Sequence, residues 1–400
     1  MKTFTTLLAA FLISSALQAQ PIVYFNFVTH NEETNQWNAN NYYMLNRGKI
    51  ISLADYFQIN GITWNMQSDW VYLTNVITKE TPTVTVNTNN KNILRYLHED
   101  KGVEMDPHAH ESTHIYPDVV ALMDSIGLPE SKIMGGTIYN DSNGVNVWTN
   151  LVNGQYGLFF PSRFWQPDFM MGGGTPNHVA DLKYYGFWNP TDTNAYLIHN
   201  PSSPLHHIGT GCSIKIKDTS DVANVLAEIT GVVANVQNGN YPSSGIYLQT
   251  IFFEQGDLND TAFYNKIIQV ADSVNKIVAT GQAQWKTLAQ TGDYWINTYN
   301  SQVFQWECGQ VISGVQEIKT KSTIEIYPNP FLQTATIITA ETLHNASFTV
   351  YNSFGNAKKC IKNISANQFI FNRENLASGL YFFRLSQGQS TITGKLVIAD

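Results

Sequence analysis

The sequence predicts an α/β protein: a distorted β/α barrel followed by a small all-β sandwich. Three observations predict it. Residues 22–32, 62–69 and 103–114 each alternate apolar with polar side chains, the period of a strand. The stretches between them carry apolar residues at helical spacing, so strand and helix alternate as in parallel βα units. Beyond residue 324 the helical period gives way to short strands divided by turn signals.

Residues 1–19 read as a signal peptide. Lys2 gives a positive start, Leu7 to Leu17 an apolar run too short to span a bilayer, and Leu17-Gln18-Ala19 a cleavage site before Gln20. In the first strand Tyr24, Asn26, Val28, His30 and Glu32 share one face, and Phe25 and Phe27 the other. A helix with Leu45, Ile50, Leu53 and Phe57 facing the core ends near Gly61. In the second strand Asn65, Gln67 and Asp69 oppose Trp64 and Met66. Trp70 to Ile77 reads as helix, Thr81 to Asn90 as loop, and Asn92 to Glu99 as helix. The third strand puts Glu104, Asp106, His108 and His110 on one face, against Val103 and Met105. Asp118 to Ile126 is a short helix stopped by Gly127, and Lys132 to Tyr139 a fourth strand.

The pattern then loosens. Gly172 to Gly174 is no phosphate loop, since no Lys follows at the required spacing. His178 and Asp181 begin a helix, Ala195 to His199 forms a strand, and His206-His207 falls in a loop. Ser220 to Asn235 and Phe263 to Val278 are helices flanking the strand Gly245 to Glu254. Trp285 to Leu288 reads as a short last helix, and the barrel region, residues 20–310, closes near Cys308. Residues 311–323 are a polar linker, and residues 324–400 form the sandwich.

Composition narrows the partners. A net charge of −8 and a pI near 5.7 exclude nucleic acid and anionic membrane as favoured targets. No stretch after the leader is long and apolar enough for a membrane helix. Abundant Asn, Thr, Ser, Tyr and Trp suit an exported protein that faces carbohydrate. The three cysteines form no CxxC; Cys212 and Cys308 are candidates for one disulfide in an oxidising compartment, with Cys360 in the other domain.

Two acids and two imidazoles on one strand face mark a site, because burying them unpaired is costly. Imidazoles at i and i+2 on a strand reach one metal ion; His110 and His114 offer an i, i+4 alternative if the chain turns helical. Pro107 favours the strand, having no N–H for a helix and biasing Asp106 toward extended backbone. The ligand candidates are His30, His108 and His110, with Asp69 able to replace one, and a divalent metal, zinc first, is expected. Glu32 or Asp69 would take the proton from water, and Asp106 or Glu104 would orient the imidazoles. Trp64, Trp70 and Trp165 are candidates for stacking on a sugar ring. A metal-free alternative pairs Asp69 or Glu104 with Glu254 as acid and base on a glycosidic bond. A third reading is a surface glycan-binding protein without catalysis.

Residues 324–400 resemble the C-terminal sorting domain of type IX secretion substrates of Bacteroidetes. The matching residues are Tyr327 to Phe331 (YPNPF), Val350 to Gly355 (VYNSFG), Leu376 to Tyr381 (LASGLY) and Gly394 to Ile398 (GKLVI). That resemblance implies passage through the periplasm, recognition by the secretion machinery, and release or attachment at the cell surface. The preceding region resembles the polysaccharide deacetylases, metal-dependent hydrolases on a distorted β/α barrel. Gly102 to His108 (GVEMDPH) is similar to the family's third-strand motif, and Thr29 to Glu32 (THNE) falls where the family carries an aspartate pair. Ser162-Arg163 to Pro167 stands for its Arg and Pro motif. Here His30 and Glu32 replace the aspartate pair. The resemblance implies a secreted, metal-dependent carbohydrate deacetylase.

Overall fold

A computed structural model describes residues 20–32, 35–110, 114–136, 147–171, 180–312, 324–339, 342–387 and 390–400; the signal peptide, most of the linker and His178 lie outside them. The chain divides into two compact units, Met1–Ser313 and Gly314–Asp400.

The first unit begins β1 (Val23–His30), α1 (Asn40–Ile59), β2 (Trp64–Ser68), α2 (Trp70–Lys79), the single turn α3 (Pro82–Thr85), α4 (Ile93–Lys101), β3 (Glu104–Ala109), α5 (Tyr116–Ser125) and β4 (Ile133–Gly136). A less regular stretch follows, with α6 (Val147–Asn153), the two-residue strands β5 (Gln155–Tyr156), β6 (Phe164–Trp165) and β7 (Phe169–Met170), then β8 (Tyr184–Trp188), β9 (His206–Thr210) and β10 (Ile214–Lys215). It ends with α7 (Val222–Gln237), β11 (Tyr247–Glu254), α8 (Thr261–Val278), β12 (Ala283–Trp285), α9 (Leu288–Tyr299) and β13 (Phe304–Glu307).

One sheet carries the unit, in the order β10-β11-β1-β2-β3-β4-β7-β9-β8-β13, with β12 beside β1. From β10 to β9 neighbouring strands are parallel; β8 and β13 join antiparallel. The expected barrel is therefore met in part: the described strands form a curled, open half-barrel. Side chains span the curl where no backbone ladder does. Tyr185 Oη on β8 donates to Gln249 Oε1 on β11 at 2.7 Å, and Gln249 Nε2 donates to the Cys212 carbonyl at 3.1 Å.

The alternation in the sequence sets the two faces of this sheet. Phe25, Phe27, Trp64, Met66, Val103 and Met105 point to the convex side and pack under the helices. Tyr24, Val28, Leu248 and Phe252 point into the concave side, where Leu288 and Trp295 of α9 meet them. Each such buried side chain contributes roughly 1.5–3 kcal/mol. Helix α9 starts at 288, where the sequence reading ended its last helix, because Thr287 and Gln290 form a capping box. Its first amides cover the starts of the strands: Leu288 N–H donates to Asn65 Oδ1 at 3.2 Å and Ala289 N–H to Glu104 Oε1 at 3.1 Å.

Two other local expectations are corrected. Ala195 to His199 is a turn, since the Asp192 carboxylate accepts from the amides of Asn194 and Ala195 and bends the chain. His206-His207 opens strand β9 instead, hydrogen-bonded between β7 and β8. Cys212 and Cys308 are joined in a disulfide, and Cys360 is free and exposed.

The second unit contains β14 (Ile324–Tyr327), β15 (Thr334–Thr339), β16 (Ala346–Tyr351), β17 (Ala357–Ile364), β18 (Gln368–Asn372), β19 (Gly379–Gln387) and β20 (Ser390–Ile398). They form two antiparallel sheets, β14-β15-β18 and β17-β16-β19-β20. Phe331, Ile337, Phe348, Phe371, Phe383 and Leu396 make a core of their own between them.

Candidate active site

Parallel strands put their C-terminal ends on one rim, and the rim holds the chemistry. His30 ends β1, His108 stands one residue from the end of β3, Lys215 ends β10 and Glu254 ends β11. Glu32 and His110 lie just past the ends of β1 and β3. All six line one cleft of about 380 Å³, together with Phe252 and Met171.

Glu32 sits among three imidazoles. Its Oε2 is 3.0 Å from His108 Nε2 and 2.9 Å from His110 Nε2, and those two nitrogens are 3.1 Å apart. His30 Nδ1 stands 3.8 Å from Glu32 Oε1. The other His30 nitrogen, Nε2, is held by Gln67 Oε1 at 2.7 Å, and the His30 ring lies edge-on to Phe252. Gln67 reaches that place because residue 135, on β4 beyond the intervening β3, is glycine. A Cβ at Gly135 would fall within 2.7 Å of all three heavy atoms of the Gln67 amide.

Burial and charge set the protonation of this group. Burial pushes the Glu32 carboxyl up, but the hydrogen bonds from His108, His110 and His30 outweigh it and hold it far below the usual carboxylate range. Burial lowers His108 to about 4, with His30 beside it adding to the effect. Burial likewise lowers His30. His110 is half exposed, and its bond to Glu32 raises it. An ionised carboxylate beside two neutral imidazoles is the state in which such side chains ligate metals. Among the described residues, His30, Glu32 and His108 offer ligand atoms within 4.8 Å of one another. Ligand atoms held tetrahedrally at ~2.0–2.2 Å stand about 3.3–3.6 Å apart, a few tenths of an ångström wider than the Glu32, His108 and His110 triangle, so small side-chain shifts bring the three onto one ion.

The remaining sequence candidates fall in different places. Glu254 shares the cleft: Lys215 Nζ donates to its Oε1 at 2.6 Å and lies over the Phe252 ring, while its Oε2 is buried without a partner. Asp69 caps α2, accepting from the Tyr72 amide at 2.7 Å, and its own N–H donates to Asn31 Oδ1. Burial raises Asp69 to about 6, and the nearby Glu32 charge adds to that. Glu104 and Asp106 share the Asn65 amide at the other end of the strands, under α9. They support the concave floor and do not reach the imidazoles as orienting partners.

His114 leaves the ligand set and stacks on Trp70 at 4.2 Å. His206 bonds Asn189 and His207 bonds Tyr196. Trp64 and Trp165 are buried core, which removes both as sugar contacts; Trp70 is partly exposed. Sequence reasoning missed Gln67 as the group that orients His30, although its strand parity pointed there, and missed Lys215, for which no pattern spoke.

Residues 325–399 match the secretion system C-terminal sorting domain. The protein is secreted or held at the cell surface by the type IX route. No helix among the described residues is long and apolar enough to cross a membrane. No curated protein matches the chain. Among solved structures it is similar to PorZ, an essential surface component of the type IX secretion system of Porphyromonas gingivalis, at 14% identity and a TM-score of 0.18. That likeness covers 24% of this chain and 14% of PorZ. The endo-β-1,4-mannanase of Thermotoga petrophila aligns at 10% identity and a TM-score of 0.20, over 96% of this chain and 98% of its own. A double mutant of the Cellulomonas fimi endo-β-1,4-mannanase aligns at 10% identity and a TM-score of 0.19, over 94% and 77%. These likenesses are too slight to bear on fold or chemistry.

Proposed function

We propose that the first unit is a metal-dependent hydrolase acting on carbohydrate outside the cell, of the deacetylase kind. One observation carries the reading: Glu32 Oε2, His108 Nε2 and His110 Nε2 converge within 2.9–3.1 Å of one another in a cleft at the strand ends. Glu32, His108 and His110 would hold the ion, with His30 as the fourth candidate, and the imidazole-rich set favours zinc. The geometry supports Glu32 as a ligand in place of the proton-accepting role its sequence position suggested. A divalent ion there supplies Lewis acidity, polarising an acyl carbonyl and easing deprotonation of water.

The protein's own groups do the rest. Gln67 fixes the His30 ring so that Nδ1 faces Glu32. Glu254, held at Oε1 by Lys215, is the cleft carboxylate that accepts the proton of the attacking water. Phe252 and Met171 keep that wall of the cleft apolar. Asp69 anchors the rim by capping α2.

Elemental analysis of the purified mature protein tests this. The expected result is close to one transition-metal ion per chain and release of acetate from acetylated xylan or chitin oligosaccharides. Metal-free protein that zinc, nickel, cobalt and iron(II) all fail to reconstitute would remove the reading. A metal-free glycosidase is the second reading, with Glu254 in the cleft and Asp69, whose carboxyl burial and the cleft residue Glu32 raise, as its carboxylate pair. Cleavage of unacetylated glycan by metal-stripped protein would establish it.

A further inference from the structure

The hairpin between β5 and β6 carries exposed apolar side chains on a backbone held from beneath. Asp118 on α5 is fully buried, and its carboxylate accepts three successive amides: Leu158 N–H at 3.0 Å, Phe159 N–H at 2.9 Å and Phe160 N–H at 3.0 Å. Gly157 permits this approach, since a Cβ there would strike Asp118 Oδ1 and come within 2.8 Å of the Phe160 carbonyl oxygen. Leu158 and Phe159 are nonetheless 64% and 55% exposed. A buried carboxylate has been spent on fixing a loop whose side chains face water.

Phe159 closes a triangle of rings. Trp70 and His114 stack at 4.2 Å with 7° between their planes, and Phe159 stands 5.2 Å from each. Trp70 follows Asp69 directly, and the Asp69 carboxyl feels the charges of Glu32 and His110. The triangle is therefore on the same rim as the cleft.

We propose that Phe159, backed by His114 and Trp70, is a stacking platform for a sugar ring of a neutral polysaccharide whose reacting unit occupies the cleft. This rests on the reading of the cleft as a carbohydrate hydrolase. The size of the patch selects the occupant. At about 200 Å² for a whole large side chain, Leu158 and Phe159 leave roughly 200 Å² open, and Tyr156 and Phe164 on the hairpin stem double it to roughly 400 Å². A stable second copy of the chain would need about 800 Å² on each partner. The net charge of −8 disfavours polyanions and anionic lipid. The apolar face of a neutral sugar ring matches both the area and the charge. Fixing the loop beforehand lowers the ordering cost of binding it.

The test is calorimetry on the mature protein with mannohexaose, cellohexaose, xylohexaose and chitohexaose. At least one is expected to bind, with Phe159→Ala weakening it by about tenfold or more, the order expected for one lost stacking ring, and Phe159→Tyr restoring it. Absence of metal or of turnover in wild-type protein that still binds the sugar through Phe159 bears on the hydrolase reading alone. Binding that is equal in wild type and Phe159→Ala would overturn the platform, as would no binding of any of the four. Phe159-dependent binding to phosphatidylcholine vesicles, or Phe159-dependent dimerisation in sedimentation, without sugar binding would equally overturn it.

Discussion

Replacing Gly135 by alanine perturbs the candidate site through one neighbour. The added Cβ falls within 2.7 Å of the carbon, oxygen and nitrogen of the Gln67 amide, where ordinary contacts need about 3.4–4 Å. The backbone is not the obstacle, because Gly135 lies outside the positive-φ glycines. Overpacking of this kind costs about 1–3 kcal/mol, and losing the 2.7 Å bond from Gln67 to His30 adds about 1 kcal/mol. Gly135→Ala is therefore expected to destabilise the first unit by about 2–4 kcal/mol. Gln67→Ala alone loses the bond and some packing, about 1–2 kcal/mol. In the double variant the new methyl occupies the space the amide left, so the losses should fall short of additivity by about 1–2 kcal/mol. Urea unfolding followed by tryptophan fluorescence measures this unit selectively, because all nine tryptophans lie at or before Trp306. Additive losses would refute the argument that Gly135 exists to admit Gln67. So would a Gly135→Ala protein of wild-type stability.

Further outcomes are expected at other places. His108→Ala and Glu32→Ala should each remove most bound metal and should not add when combined, whereas His206→Ala, tied to Asn189, should leave metal content unchanged by mass spectrometry. His207 is buried, and burial lowers it to about 4 while the unfolded chain titrates near ~6.5. Its contribution is complete above that upper value and is lost as pH falls toward 4, by up to about 3 kcal/mol; His207→Gln should flatten that part of the stability–pH curve. Replacing Cys212 and Cys308 by serine opens a link across 96 residues and should cost about 4–5 kcal/mol in urea unfolding. Deleting residues 324–400 should leave the first unit's fluorescence transition in place and hold the protein in the periplasm on cell fractionation. Surface delivery of that truncation would assign the sandwich another role.

Strand parity made much of this legible. His30 and His108 were visible as inward groups because side chains alternate strictly along a strand, and the same rule separated Phe25 and Phe27 from Asn26 and Val28. Glu32 was visible as a site residue but not as the group between the imidazoles. It lies beyond β1, where direction depends on the turn and not on parity. Glu104 misled for a related reason: parity gives the face of a strand but not the end, and Glu104 opens β3 where His108 nearly closes it. The curl of the sheet was not legible at all, because it depends on pairings such as Tyr185 with Gln249, 64 residues apart. The Asp118 loop anchor was hidden likewise, since its acceptor and donors are separated by 40 residues and more.

Helix α9 decides from which side the cleft can be reached. Leu288 and Trp295 fill the concave side of the half-barrel, and the first amides of the helix bind Asn65 and Glu104 at the strand starts. The sheet is therefore a cup with a floor, and its cleft is reached from the rim of strand ends. On the proposed reading, a glycan would drape over the lip, entering and leaving from the open side. Such a site would meet internal positions along a glycan as readily as its ends.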